Sequence, residues 1–188
     1  MKSKYFVLVV AIICLGLMFT GGTYAFLSWS ATVKSNTYTG TTTCFLVTYD
    51  YKNADNTLPI TGTMFQSKTP KGGLSGKVTM ALSSSCNITS GTATLKLYFN
   101  SATSNVFFNG DKALKYAVYD SATATTPISS GVLSAKSTTT IGSGSNFALT
   151  KTARSFYVYI WLDGALADNE YVDLPFSGYI IASATQSE

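Results

Sequence analysis

The chain has 188 residues and a net charge of +4, with only 12% charged residues and 13% aromatic residues. Its lysines are scattered and form no basic run, which excludes the charge footprint of a nucleic-acid-binding protein. The sequence contains no histidine, which excludes an imidazole base, including that of a Ser-His-Asp triad, and removes a common zinc ligand. No G-x-S-x-G element or Gly-rich phosphate loop is present either, so we expect no enzyme and no cofactor.

The first 25 residues combine a short basic start with an apolar run. Two lysines precede the uncharged segment 5–19, and Gly21-Gly22 then interrupts it. Small side chains at Thr23 and Ala25 match the positions that a signal peptidase reads, which predicts cleavage between Ala25 and Phe26. Segment 1–25 is therefore predicted as an apolar helix that directs export through the Sec pathway to the cell surface or beyond. The alternative is an uncleaved membrane anchor, since a slightly longer apolar run would span a bilayer.

Two cysteines follow this leader, Cys44 and Cys86. Outside the cytoplasm an even pair of cysteines usually forms a disulfide, and each one lies at the edge of a strand-like run. There is no C-x-x-C spacing and no basic neighbour that would lower a thiol pKa, so a redox-active pair is not favoured. We predict a structural Cys44–Cys86 disulfide.

Strand-like segments recur along the rest of the chain, separated by clusters of Gly, Asn, Asp, Ser and Pro. We predict strands at 26–33, 45–51, 77–82, 93–99, 114–119, 155–162 and 176–184, and short edge strands near Val132 and Thr139. Segment 52–76 is predicted as a loop. No helical period is sustained after the leader, so residues 26–188 are predicted to form one all-β domain. The expected fold is a two-sheet antiparallel sandwich resembling a jelly roll.

Two further motifs have weak functional interpretations. Residues 58–62 read L-P-I-T-G, the sortase sorting motif, but they lie in mid-chain and are interpreted as a Pro/Gly turn. The acidic residues Asp163, Asp168, Glu170 and Asp173 carry oxygen ligands of the kind that calcium prefers. Their spacing fits no EF-hand loop, so a solvated turn is favoured and no metal is expected.

Aromatic residues Tyr157, Tyr159 and Trp161 share one face of the predicted strand 155–162. Such rings can stack on sugars, or they can pack under a covering layer. We favour packing, because aromatic cross-strand pairs commonly stabilise sheets.

Residues 21–28 read GGTYAFLS. This stretch resembles the export signature of the TasA/camelysin family of Gram-positive bacteria, which is processed by a dedicated SipW-type signal peptidase. Segments 159–164 and 176–180 are similar to a recurring ending of small exported proteins of that kind. The resemblance implies a jelly-roll subunit of extracellular matrix fibres, in which the N-terminal strand of one subunit completes a sheet of the next.

Applied to this chain, the resemblance implies that Phe26–Val33 is the donor strand. Its apolar face would insert into the neighbouring copy, and that face consists of Leu27, Trp29, Ala31 and Val33. The two cysteines after the leader depart from the family signature. The metallopeptidase activity assigned to camelysin-type members is not carried over, because the chain has no histidine and no convergent ligand set.

The sequence leaves two main functions to be weighed, and an exported hydrolase is the least favoured third. We expect an exported structural subunit that polymerises with copies of itself and contacts the signal peptidase and the membrane only during export. The alternative is a membrane-anchored, monomeric surface adhesin or carbohydrate-binding module.

Overall fold

The computed structural model describes residues 44–50 and 57–186. Within these residues the chain is almost entirely β-structure. The strands are β1 (Phe45–Tyr49), β2 (Leu58–Thr63), β3 (Gln66–Ser67), β4 (Leu74–Leu82), β5 (Gly91–Phe99), β6 (Leu114–Tyr119), β7 (Ser129–Val132), β8 (Thr139–Gly142), β9 (Ala148–Leu149), β10 (Arg154–Asp163) and β11 (Pro175–Gln186). Short 3-10 helices lie at Pro70–Gly72, Asn105–Phe108, Ser145–Phe147 and Asn169–Tyr171. None of the helices in this part of the chain has the length and apolar character needed to cross a membrane.

The strands form two sheets. The first has the order β1-β4-β10-β6-β7, with β3 beside β10, and the second has the order β2-β11-β5-β8, with β9 beside β5. Every pairing is antiparallel except the two-residue contact of β3 with β10. The prediction of an all-β, two-sheet antiparallel sandwich is confirmed for these residues. The predicted helix 1–25 and the predicted strand 26–33 lie outside them.

The core lies between the two sheets. Successive side chains of a strand point to opposite faces, so every second residue of each strand points into this space. On β10, four alternate apolar side chains are completely buried: Phe156, Val158, Ile160 and Leu162. On β11, Phe176, Ile180, Ala182 and Ala184 are buried in the same way. Complete burial of one large apolar side chain stabilises the fold by roughly 1.5–3 kcal/mol. These two strands therefore form the centre of the two layers.

The prediction of a loop at 52–76 is wrong in three places, at β2, at the two-residue β3 and at the start of β4. Its L-P-I-T-G stretch is not a turn but most of β2, which pairs with β11 from Thr63↔Pro175 to Leu58↔Ile180. Proline is tolerated here because β2 is an edge strand, where its missing N–H costs no ladder bond. In addition, β4 begins at Leu74 and includes Gly76, where a Cβ would lie 2.7 Å from side-chain atoms of Leu58 and Ile60. Glycine thus permits the close packing of β2 against β4.

Strands β1 and β2 follow one another along the same side of the sandwich but belong to different sheets. β1 borders β4 only from Val78 to Leu82, and β2 borders β11 only from Pro175 to Ile180. Each of these two inner strands, β4 and β11, therefore has a neighbour over only part of its length on this side. Segments 74–77 of β4 and 181–186 of β11 have no strand beside them there among the described residues.

Candidate functional site

The most distinctive feature of the fold is the second half of β11. β5 pairs with β11 from Gly178 to Gln186, whereas the pairing of β2 with β11 ends at Ile180. On the side opposite β5, the described part of the chain provides no strand for residues 181–186. We call this segment the open side of β11.

The open side carries backbone groups that can bind an added strand. The N–H of Ala182 points away from β5, because it donates a hydrogen bond to the hydroxyl of Tyr49 at 3.1 Å. Backbone groups alternate in direction along a strand, so the N–H of Ala184 points to the same side. Both alanines are buried, and a buried backbone N–H or C=O group is costly to leave without a partner. The Ala182 N–H already has the Tyr49 hydroxyl as its partner, so an extended segment at this position would supply partners for the other backbone groups on this side, such as the Ala184 N–H.

Strand β1 covers this region from the opposite sheet. Phe45, Val47 and Tyr49 are buried on its inner face, while Leu46 and Thr48 point outwards. Small residues make room for these large side chains, since a Cβ on Gly91 would lie 3.0 Å from the Phe45 ring. Burial raises the pKa of Tyr49, and its hydrogen bond with Ala182 partly offsets this effect. The Tyr49 hydroxyl is therefore a neutral group that links the two sheets.

The predicted disulfide lies at the same end of the sandwich. Cys44 and Cys86 are joined with an S–S distance of 2.09 Å and a Cα–Cα distance of 5.6 Å. Cys44 directly precedes β1, and its carbonyl accepts a hydrogen bond from the N–H of Ser83 at 2.8 Å. Cys86 lies in the connection between β4 and β5, close in sequence to the Gly91↔Gln186 pair. The disulfide thus fixes the start of β1 near the end of the open side of β11.

The residues assigned to cleavage and strand donation cannot be placed relative to this site. Ala25, Phe26, Leu27, Trp29, Ala31 and Val33 all lie outside the described residues. Their roles remain predictions from the sequence.

Asp163 ends β10, and the other three acidic residues of the predicted calcium candidates lie in the turn between β10 and β11. Asp163 accepts hydrogen bonds from Lys115 Nζ at 2.5 Å and from the N–H of Ala165 at 3.0 Å, and these contacts lower its pKa. Asp168, Glu170 and Asp173 follow in the turn that contains the 3-10 helix 169–171. Nowhere in residues 44–50 and 57–186 do three or more His, Cys, Asp or Glu residues come together as metal ligands would.

Tyr171 in this turn leads to a prediction about alkaline stability. Its hydroxyl donates to Asp111, and this contact, together with burial and nearby acidic charges, raises its pKa to about 12. The folded state thus favours the neutral form of Tyr171. The resulting contribution to the free energy of unfolding is complete below the ordinary tyrosine pKa of 10.0 and is lost as pH rises towards 12. We expect the free energy of unfolding, measured with urea, to fall more steeply from pH 9 to pH 11 in the wild type than in Tyr171→Phe. Equal slopes would contradict the prediction.

The outer aromatic face of β10 is only partly covered. Trp161 and Tyr119 are buried together, with Ala124 and the 3-10 helix 70–72 on that side of the sheet. Lys71 of this helix lies 5.2 Å from the centroid of the Tyr119 ring. Tyr157 and Tyr159 are only half-buried. Packing therefore accounts for Trp161 but leaves these two tyrosines partly accessible.

Sequence reasoning did not identify the open side of β11 or the role of Tyr49. No signal in the sequence indicated them, because the strand that borders β11, β2, was itself predicted as part of a loop. Comparison with known proteins adds no parallel to these observations. No family model, no curated protein and no solved structure matches the chain.

Proposed function

We propose that the chain is an exported, non-enzymatic structural subunit of extracellular matrix or surface fibres. It polymerises when Phe26–Val33 of one copy adds to the open side of β11 in the next. The observation that carries this proposal is the incomplete bordering of β11. This strand pairs with β5 from Gly178 to Gln186, but with β2 only from Pro175 to Ile180. An open strand edge accepts an extended segment through main-chain hydrogen bonds, and side-chain alternation then provides specificity.

The donor segment has the pattern that this position requires. Leu27, Trp29, Ala31 and Val33 alternate with more polar residues, so one face of an extended strand is apolar throughout. Added beside β11, this face would turn towards the core between the sheets, where Ala182 and Ala184 are buried. The polar face, with Ser28 and Ser30, would turn towards solvent.

The connectivity supports a jelly-roll-like form of the sandwich. Most connections pass from one sheet to the other, including β4 to β5, β5 to β6, β9 to β10 and β10 to β11. Such crossing connections are typical of Greek-key and jelly-roll arrangements. This form agrees with the resemblance of residues 21–28 to the TasA/camelysin export signature.

Export and assembly are coupled in this proposal. A signal peptidase cuts between Ala25 and Phe26 after Sec-dependent translocation, and the cut frees the donor segment from its membrane-bound leader. The uncut chain stays anchored at the membrane. Intact-mass measurement of the exported protein should therefore give a chain that begins at Phe26, and a mass that includes Met1 would contradict release.

Deletion of the donor segment tests the assembly step. We expect residues 26–188 to form fibres at rising concentration in electron microscopy and sedimentation, and residues 34–188 to stay monomeric. Trp29→Asp should also prevent assembly, because it places a charge on the inserting face. Its matched control, Ser28→Asp, changes the solvent face and should still assemble. Fibres formed by residues 34–188 would refute strand donation.

A peptide experiment tests where the strand binds. A synthetic peptide of residues 26–33 is added to monomeric residues 34–188, and amide hydrogen exchange is followed by NMR. We expect the N–H of Ala184 to become protected while amides of β7, at the far edge of the other sheet, are unchanged. Binding without protection of Ala184 would refute the open side of β11 as the acceptor.

A further inference from the structure

A separate cleft of about 320 Å³ opens at the other half-bordered strand. The pairing of β1 with β4 ends at Tyr49↔Val78, while β4 continues back to Leu74. Pro59 of β2 closes the cleft on the side of the second sheet, and Asp50 lies at the end of β1. The cleft is distinct from the open side of β11, which belongs to the other sheet. Its volume lies near the lower end of the range of about 300–1,000 Å³ that is typical of small-ligand sites.

Two tyrosines and their cross-strand partners line the cleft. Tyr157 and Tyr159 are two residues apart on β10, so both lie on its outer face. In the β10–β4 register Tyr157 is opposite Lys77 and Tyr159 is opposite Ser75. Each aromatic ring thus has a polar side chain in the neighbouring strand. Aromatic surface and hydrogen-bonding groups therefore alternate across the wall of the cleft.

The charges in the cleft balance each other. Lys77 Nζ lies 3.2 Å from Asp50 Oδ1 and 5.8 Å from the centroid of the Tyr157 ring. Among the described residues that line the cleft, Lys77 and Asp50 are the charged ones. An acidic or a basic ligand would meet one repelling charge for each attracting charge. The composition thus favours an uncharged ligand that offers many hydrogen-bonding groups.

We propose that this cleft binds a neutral saccharide. A pyranose ring presents C–H groups on its face, which pack on tyrosine rings, and hydroxyl groups at its rim. These hydroxyls can donate to the Asp50 carboxylate and accept from Lys77 and Ser75. An extended peptide is the competing occupant because β4 has a free edge here. However, the N–H of Asp50 already donates to the carbonyl of Lys77 at 3.2 Å. Few backbone groups of β4 are therefore left here to pair with an added strand.

The proposal is tested by titrating the mature chain, kept below the concentration at which it assembles, with cellotetraose. Maltotetraose serves as a probe of different linkage. We expect at least one of the two oligosaccharides to bind saturably, as measured by changes in the NMR chemical shifts of Tyr157 and Tyr159. Asp50→Asn should weaken this binding by about tenfold, as expected for loss of a hydrogen bond to a charged group. Asp50 is more than half exposed, so this variant should fold normally. Tyr157→Ala should weaken binding at least as much.

Tyr98→Ala is the matched control for the tyrosine variant. Tyr98 stacks on Tyr179 with ring centroids 5.1 Å apart, on β5 and β11 of the other sheet. Its removal should leave saccharide binding unchanged. The proposal is overturned if neither oligosaccharide binds, or if Tyr98→Ala weakens binding as much as Tyr157→Ala does. It is also overturned if the peptide of residues 26–33, added to residues 34–188, shifts the NMR signals of Tyr157 while neither oligosaccharide does so.

Discussion

Replacing both Cys44 and Cys86 with serine is expected to lower the free energy of unfolding by about 4 kcal/mol. The two residues are 42 apart in sequence, so the disulfide closes a long loop and restricts the unfolded chain. The effect would be measured from urea unfolding of the mature protein. Wild-type protein under reducing conditions should match the double serine variant, while the variant itself should be insensitive to reductant.

The same substitution should have a local effect in the folded state. Cys44 holds the start of β1, and β1 carries the Tyr49 hydroxyl that accepts from the N–H of Ala182. Without the disulfide, β1 should open more often than the central strands. Hydrogen exchange at Ala182 should therefore accelerate more than exchange at Val158 of β10. Uniform acceleration at both amides would show that the disulfide acts only through the unfolded chain.

Truncation of Phe156 to alanine is expected to cost about 3–5 kcal/mol of unfolding free energy, the usual range for a buried phenylalanine. Phe156 is completely buried on β10, and its ring stacks on Phe147 with centroids 5.1 Å apart. Arg154 lies over the same ring at 5.2 Å. Alanine would remove these contacts and leave a cavity between the sheets.

Leu46→Ala is the matched control for Phe156→Ala. Leu46 is 54% exposed on the outer face of β1, and exposed substitutions usually change stability by no more than about 0.5 kcal/mol. Chemical unfolding of both variants at equal pH gives the comparison. Similar losses for Leu46→Ala and Phe156→Ala would contradict the assignment of Phe156 to the centre of the core.

Much of the sheet structure could be predicted because buried strands have period-two alternation. Segments such as 155–162 and 176–184 alternate so regularly that only a sheet with one face in the core accommodates them. β2 was missed because Pro59 and Gly62 are typical of turns. Their tolerance there depends on β2 being an edge strand, and that position is set by strand order, which local sequence does not determine.

The candidate site was less predictable than the fold. The Cys44–Cys86 pair could be predicted from the number of cysteines and the expected compartment. The open side of β11 could not, because it depends on where β1 and β2 end relative to their partners in two different sheets. The role of Tyr49 was equally hidden, since nothing in the stretch FLVTY distinguishes a hydroxyl that crosses the core from an ordinary buried ring.

The transfer of the chain from one sheet to the other between β1 and β2 also limits how copies can aggregate. Uncontrolled stacking into amyloid-like ribbons needs long, flat, unpaired strand edges. On this side the described sheets end in β1 and β2, of 5 and 6 residues, and segments 74–77 of β4 and 181–186 of β11 extend beyond them, so each edge is divided between two strands. On the opposite side the sheets end in β7 and β8, each of 4 residues, and in the two-residue β9 beside β5. Short, divided edges of this kind disfavour indiscriminate growth.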